Sequence, residues 1–247
     1  MSSVPDAQEV TVTIHQPECL PWLGLVEKLR QCEVFVLLDC VQFEKNYFQN
    51  RNKIRTAWGW AWLTVPVLTK GASGQPIRQV RIRNDEAWRR KHLQSFLQHY
   101  GAAPYFDRYF PDLQALYARS WDRLEELNTA VMQWMAGAFG LSRQFVRASE
   151  LPVSGTRSEL LASICRAVGA TTYLSGVSGR DYLDERLFAE AGIAVRYQDF
   201  QHPVYRQCYE PFLPNMSAVD LLFNVGPQSL DVLTQAQGIP RESLTSS

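Results

Sequence analysis

The sequence predicts an α/β protein centred on a parallel sheet of about five strands, and three observations carry that expectation. Continuous β-branched and aliphatic runs at residues 10–14 and 34–38 read as strands covered on both faces, since such strands lack the polar alternation of half-solvated sheets. Runs of this kind alternate along the chain with stretches of helical spacing, the pattern that gives right-handed crossovers and strands pointing one way. Polar groups gather just past the runs, with His15 after the first, and Asp39 and the amide- and cation-rich block 46–53 after the second. Ligands of open α/β sheets collect beyond the strands' carboxyl ends, so one rim carrying these groups is a candidate small-molecule site.

After the first strand, Trp22, Leu25, Val26 and Leu29 have the spacing of a short amphipathic helix over 22–31. The second strand ends at Asp39, and a polar excursion leads to the tryptophan-rich run 58–67, which alternates as a strand. Ile77, Val80 and Ile82 alternate with Arg78, Arg81 and Arg83, so 58–67 and 77–83 are expected to form an antiparallel pair with the arginines on its solvated face. Residues 85–141 read as helical throughout. Trp88, His92, Phe96 and Tyr100 repeat at i+4, Leu124, Leu127, Val131, Trp134, Met135 and Ala138 follow a 3.6-residue period, and Gly101-Ala102-Ala103-Pro104 breaks the region. The aromatic stripe is expected to be core, with His92 and His99 interhelical or at the surface. A third parallel strand follows at 144–148. Next come a helix over 156–168, capped by Ser154 or Thr156 and closed by Gly169, and a fourth strand at 171–174. Helix 182–191 ends at Gly192, the fifth strand spans 193–197, and Ser217 opens a last helix through Asn224. The expected organisation is therefore a Rossmann-like sheet with an inserted helical subdomain and a small antiparallel pair. Residues 1–84 form the first half with the appended strands, 85–141 the insertion, 142–235 the second half and 236–247 a loosely held tail.

At 247 residues and 46% hydrophobic content the chain can bury a sizeable core. Its 25 basic and 25 acidic residues cancel, which argues against nucleic acid or an anionic membrane surface as partner. No apolar stretch approaches the roughly 20 residues of a membrane span, and residues 1–6 lack the basic and apolar regions of a secretory leader, so a cytoplasmic location is expected. Cys19, Cys32, Cys40, Cys165 and Cys208 are odd in number and form no C-x-x-C pair, against a disulfide framework or zinc ribbon. No metal site is expected, because the four histidines have no ligand spacing.

His15, at a strand exit and before a proline, can act as a general base or hold a phosphate, and His202 is a second such candidate. Asp39 can orient His15 or hold a substrate amine. Cys19 and Cys40, at strand-to-loop exits, are the candidate nucleophiles. Asn46, Gln49, Asn50, Arg51, Asn52 and Lys53 form the densest donor cluster, suited to a sugar, nucleotide or pantetheine phosphate, with Gln42 just before it. Gln16, Trp22 and Lys28 join the binding set from the first loop and helix. Ser175, Gly176 and Arg180 belong to a glycine-bearing turn whose amides can cradle an anion. Ser175 lacks the G-x-S-x-G frame of a hydrolase nucleophile and reads as a binding group. Tyr205, Gln207, Asp220 and Asn224 can complete the far wall or form a structural network.

The string His15-Gln16-Pro17-x-x-Leu20-Pro21-Trp22-Leu23-Gly24, followed by Leu38-Asp39-x-Val41-Gln42 and Gln49-Asn50-Arg51-Asn52-Lys53, resembles the signature of WbqC-like proteins. The likeness continues in Trp62-Leu63-Thr64-Val65-Pro66-Val67, Tyr173-Leu174-Ser175-Gly176, His202-Pro203-x-Tyr205-x-Gln207 and Asp220-Leu221-Leu222-Phe223-Asn224-x-Gly226, nearly the full chain. Two positions depart from that pattern. Cys40 stands where a second acidic residue often follows, and Cys19 where a polar or aromatic residue is usual. The resemblance implies a transferase of bacterial biosynthesis moving an activated aminoacyl or acyl group, such as a carrier-protein thioester, to an amine such as that of an amino-sugar nucleotide. His15 would take the proton, Asp39 would position His15 or the amine, and Arg51 with Lys53 would hold phosphate; Cys19 or Cys40 would accept the acyl group in a covalent variant. A phosphopantetheine thioester or an acyl carrier protein would then be co-substrate or partner. The first loop also resembles that of nucleotide-binding HUP folds, without their paired histidines, which keeps open an adenylate-forming or nucleotidyl-transferring enzyme using ATP and magnesium. A noncatalytic sugar-nucleotide binding protein is the remaining alternative.

Overall fold

The computed structural model describes residues 9–68 and 74–238. The leader expectation at residues 1–6 and the tail from 239 lie outside the described residues. Seven strands occur among those described: β1 Thr11–His15, β2 Val34–Leu37, β3 Arg51–Thr56, β4 Gly59–Thr64, β5 Gln144–Arg147, β6 Thr172–Ser175 and β7 Ala194–Tyr197. The α-helices are α1 Leu23–Arg30, α2 Trp88–Tyr100, α3 Phe106–Ala118, α4 Leu124–Ala138, α5 Arg157–Ala167, α6 Glu185–Glu190, α7 Val219–Val225 and α8 Ser229–Ala236. The chain divides into two compact units. One comprises the described residues through His15, Lys28–Leu38 and Arg143–Asp199, and the other Gln16–Glu27, Asp39–Ser142 and the described residues from Phe200 on.

The first unit is the parallel sheet, in the order β5-β2-β1-β6-β7. From β1 the chain steps outward through β2 and β5, then returns to the other side of β1 for β6 and β7, which is the Rossmann order with its reversal between β1 and β6. Val12, Ile14, Phe35, Val36 and Leu174 are buried, as continuous apolar runs require. The Thr13 hydroxyl donates to Leu174 O at 2.8 Å, tying β1 to β6 at the reversal. Arg143 donates from Nε to Leu29 O at 2.8 Å and from Nη2 to Arg30 O at 3.1 Å, satisfying carbonyls that the end of α1 leaves open. Of the two candidate caps for α5, Thr156 takes the role in a capping box with Glu159. Gly169 and Gly192 close α5 and α6 with φ of +69° and +70°, the left-handed conformation that glycine adopts without strain.

The second unit holds the hairpin β3–β4 and helices α2, α3, α4, α7 and α8. Trp88, His92, Phe96 and Tyr100 all face inward from α2, and Phe96, Tyr100 and Phe106 surround Phe223 of α7 at centroid distances of 6.1, 5.2 and 5.1 Å. Two expectations are corrected here. The strand in 58–67 pairs with β3, not with 77–83: Arg51↔Thr64 through Thr56↔Gly59 form an antiparallel ladder closed by the two-residue turn Ala57-Trp58. A hairpin closed by two residues loses less chain entropy than a pair closed across a longer loop. Residues Ile77–Gln79 form a 3₁₀ turn, leaving only isolated bridges at Val67↔Ile82 and Arg81↔Arg123. The arginines of that stretch face water in surface ion pairs, Arg81 with Asp122 and Arg83 with Glu86. The polar excursion after Asp39 is in part strand β3, whose Asn52 and Ile54 point inward and whose Arg51 and Lys53 point outward. Helix α8 was not anticipated, and Gln237 beyond it exchanges two hydrogen bonds with the Gln201 backbone.

Candidate functional site

In the first unit the reversal between β1 and β6 brings three of the candidate residues together. The register Thr11↔Thr172 and Val12↔Tyr173, continued to the end of β1, sets His15 level with Gly176, which keeps extended backbone just past β6. Side chains in register on neighbouring parallel strands leave the sheet on the same face. On Gly176 that direction is occupied by Lys28, from the last turn of α1: a Cβ at 176 would stand 3.2 Å from Lys28 Nζ. Lys28 is only 6% exposed, so its ammonium is held at the sheet edge on the face from which the His15 side chain emerges. A desolvated cation beside an imidazole at a Rossmann reversal can hold an anion and move a proton next to it.

The rest of the loop after β6 divides differently. Ser175 belongs to the opposite face; its buried hydroxyl is hydrogen-bonded to Tyr173, and Gly179 closes over it so tightly that a Cβ there would lie against Ser175 Oγ. This pins the 3₁₀ turn Val177–Asp181. Arg180 is exposed and lies 4.4 Å over the Tyr197 ring, whose hydroxyl donates to Glu185 at 2.6 Å.

All other candidates lie in the second unit. Gln49 accepts from Glu44 N at 2.8 Å and donates to Gln16 Oε1 at 2.7 Å. Asn50 accepts from Asn46 N at 3.0 Å and donates to Val65 O at 3.1 Å, and Asn52 donates to Leu20 O at 2.8 Å. These three buried amides staple loops together, while Arg51 and Lys53 remain on the outer face against Trp62. Asn128 of α4 joins the same web, donating to Pro17 O at 3.1 Å and Gln49 O at 2.8 Å. Asp39 is buried, Gln42 is exposed and bridges Pro76, and Trp22 lies over Gly24, where any Cβ would meet its indole at 2.4 Å.

Asp220 is fully buried and accepts from Tyr100 Oη at 2.9 Å, Tyr205 Oη at 2.8 Å and Gln207 Nε2 at 2.8 Å. Burial raises its pKa, against the lowering effect of the three donors. Gln207 also brackets Leu213 through its N and O, and Asn224 donates to Asp220 O at 2.7 Å and accepts from the Cys208 thiol. His202 is occupied at both nitrogens: Nδ1 donates to Pro203 O at 2.8 Å, and Nε2 accepts from Asn215 N at 3.1 Å, a tautomer assigned from those partners. Burial lowers its pKa further toward the neutral form. The thiol of Cys19 is buried and pushed up to about 12, chiefly by desolvation, and that of partly exposed Cys40 is raised by burial and then by Asp39. Both therefore stand as thiols near neutral pH.

Residues 16–232 match the WbqC-like protein family. This chain belongs to that family. The Uncharacterized protein Rv1507c of Mycobacterium tuberculosis (strain ATCC 25618 / H37Rv) is 33% identical to it over 224 residues, 90% of this chain and 96% of the relative. No solved structure matches. Of the WbqC-like motifs, His-Gln-Pro and Tyr-Leu-Ser-Gly thus end two adjacent strands of one sheet, and Asp-Leu-Leu-Phe-Asn builds a buried network. No helix among the described residues is long and apolar enough to cross a membrane, and no group of three or more His, Cys, Asp or Glu among them is placed to hold a metal ion. Sequence reasoning missed Asn128 and Arg143, which lie in helical or turn sequence without any motif, and it gave Trp60 and Trp62 no binding role.

Proposed function

We propose that this WbqC-like chain is a cytoplasmic small-molecule transferase of bacterial biosynthesis, passing an activated aminoacyl or acyl group to an amine, with His15 as general base and Lys28 as anion holder. The observation that carries this reading is the juxtaposition, at the β1–β6 reversal, of the His15 strand end with the buried ammonium of Lys28 above Gly176. An amine attacks the thioester carbonyl, the new C–N bond forms as the C–S bond breaks, His15 removes the ammonium proton, and the leaving thiolate takes up a proton. Lys28 neutralises either a substrate phosphate or the charge that develops on the carbonyl oxygen. Direct transfer is favoured over a Cys19 or Cys40 acyl-enzyme, because a thiol with raised pKa is a poor resting nucleophile. The test is a mass-spectrometric transfer assay with acyl-coenzyme A or acyl carrier protein donors and amino-sugar nucleotide acceptors. Product formation lost in His15→Ala and Lys28→Met and kept in Cys19→Ser and Cys40→Ser is expected; saturable binding without turnover against any donor would count against an enzyme.

The same cation at a strand exit also favours a second reading, in which ATP phosphates occupy the rim and the enzyme forms an adenylate or transfers a nucleotidyl group. ATP-dependent release of pyrophosphate in the presence of magnesium separates it from thioester transfer.

A further inference from the structure

Tyr47, Phe48, Trp62 and Trp60 form an unbroken aromatic row on the outer face of the β3–β4 hairpin, with centroids 5.1, 6.1 and 5.6 Å apart along it. Two cations lie on this row. The Arg51 guanidinium is 4.1 Å from the Trp62 centroid, and Lys53 Nζ is 5.0 Å from Trp60 and 5.5 Å from Trp62. Strand alternation explains the arrangement, since Lys53 pairs directly with Trp62 across the ladder and Arg51 is two residues away on the same face. Neither cation has a carboxylate partner among the described residues, and Arg51 Nε is buried without an acceptor. Trp60 and Tyr47 are each 49% exposed, and Trp58 in the hairpin turn is 87% exposed. The same face ends, beside the hairpin turn, in a third cation. Arg55 is buried there, donating to Gly59 O at 2.7 Å and Pro211 O at 2.9 Å.

Exposed rings in a contiguous group mark an interaction surface, and the two unpaired cations specify its charge. Their Cα atoms are two residues apart on one strand, roughly 7 Å, which suits an anion extending over two phosphates better than a single carboxylate. A phosphate alone would have no use for the indoles, and a neutral sugar none for the cations. A nucleic-acid strand would require a longer basic track than two residues in a chain with 25 acidic and 25 basic side chains. A flat π-system carrying a short polyanion meets both demands. We propose that the outer face of the β3–β4 hairpin is a binding platform for a nucleoside diphosphate moiety, its base stacked on Trp60 and its phosphates held by Lys53 and Arg51. The platform stands on its own observations and does not depend on the chemistry at His15.

The test titrates the full chain at low ionic strength with UDP, ADP, inorganic pyrophosphate and glucose 1-phosphate, by calorimetry and by tryptophan fluorescence. Expected are binding of UDP or ADP with indole quenching, and about tenfold or greater weakening in Trp60→Ala and in Lys53→Ala. Recovery in Trp60→Phe and a pyrophosphate affinity well below that of UDP are also expected. Thermal melts of the variants verify that they fold. Absence of nucleotide binding, equal affinity for UDP and either phosphate control, or full affinity in folded Trp60→Ala overturns the proposal. Loss in Lys28→Met with Trp60→Ala intact overturns it too, by assigning the nucleotide to the sheet rim. Loss of transfer activity in His15→Ala with nucleotide binding retained leaves the platform standing and bears only on the catalytic reading.

Discussion

Residues 46–53 and 205–224 are both rich in amides, hydroxyls and charges, yet the chain uses them in opposite ways. In 205–224 one carboxylate, Asp220, draws two hydroxyls and an amide onto itself, and Gln207, Asn224 and His202 spend their remaining groups on nearby backbone or side chains. In 46–53 the pleat of β3 divides the set. Asn50 and Asn52 turn inward to carbonyls, and Arg51 and Lys53 turn outward onto indoles. Polar density in a sequence thus marks places where polar groups matter, and only the hydrogen-bond inventory separates those that hold the chain from those left on its outer face.

The largest effect should come from opening the closed network. Asp220→Ala leaves three donors buried without their acceptor and should cost about 4 kcal/mol of unfolding free energy in urea titrations; a loss under 1 kcal/mol would mean that water replaces the carboxylate freely. A comparable effect should appear with pH through His92, whose pKa burial lowers to about 4 while its ring contacts Tyr117 and Thr64. A histidine depressed in the folded state contributes stability above its unfolded pKa, and that contribution is lost as pH falls. Wild type should therefore lose about 3 kcal/mol relative to His92→Gln between roughly pH 6.5 and 4, read from urea midpoints across that range. Asn52→Ala, removing one buried amide, should cost about 2 kcal/mol. Its neighbour in sequence gives the smallest change: Lys53→Ala should move stability by less than about 1 kcal/mol. Thermal melts that ranked Lys53→Ala below Asn52→Ala would abolish the distinction between the two faces of the hairpin.

β1 and β2 were legible because burial on both faces leaves continuous apolar runs, whereas β5 and β7, partly exposed and carrying Arg147 and Arg196, were legible from their place between helical stretches. The stripe Trp88, His92, Phe96 and Tyr100 was equally clear from its spacing. Strand β3 was hidden because its inward positions carry Asn52 and its outward ones Arg51 and Lys53, so hydropathy reads it as a loop. Helix α8 was hidden because only the three residues Gly226-Pro227-Gln228 separate it from α7. At the rim, His15, Lys28 and Gly176 could be named one by one, but their meeting depends on strand order and register, which no local pattern encodes. The web of Asn128 and the capping by Arg143 are single-residue, long-range contacts and left no periodic trace.

The most direct test of the rim is ¹⁵N NMR of the imidazoles, four in this chain, during titration with acetyl-coenzyme A, UDP-N-acetylglucosamine and ATP with magnesium. The His15 ring should shift on saturation by at least one of these ligands and should cease to respond in Lys28→Met, while the His92 and His202 rings, held at both nitrogens, stay in place. A His15 resonance that moves with none of the ligands, or that responds unchanged without Lys28, would contradict a ligand site at the β1–β6 reversal.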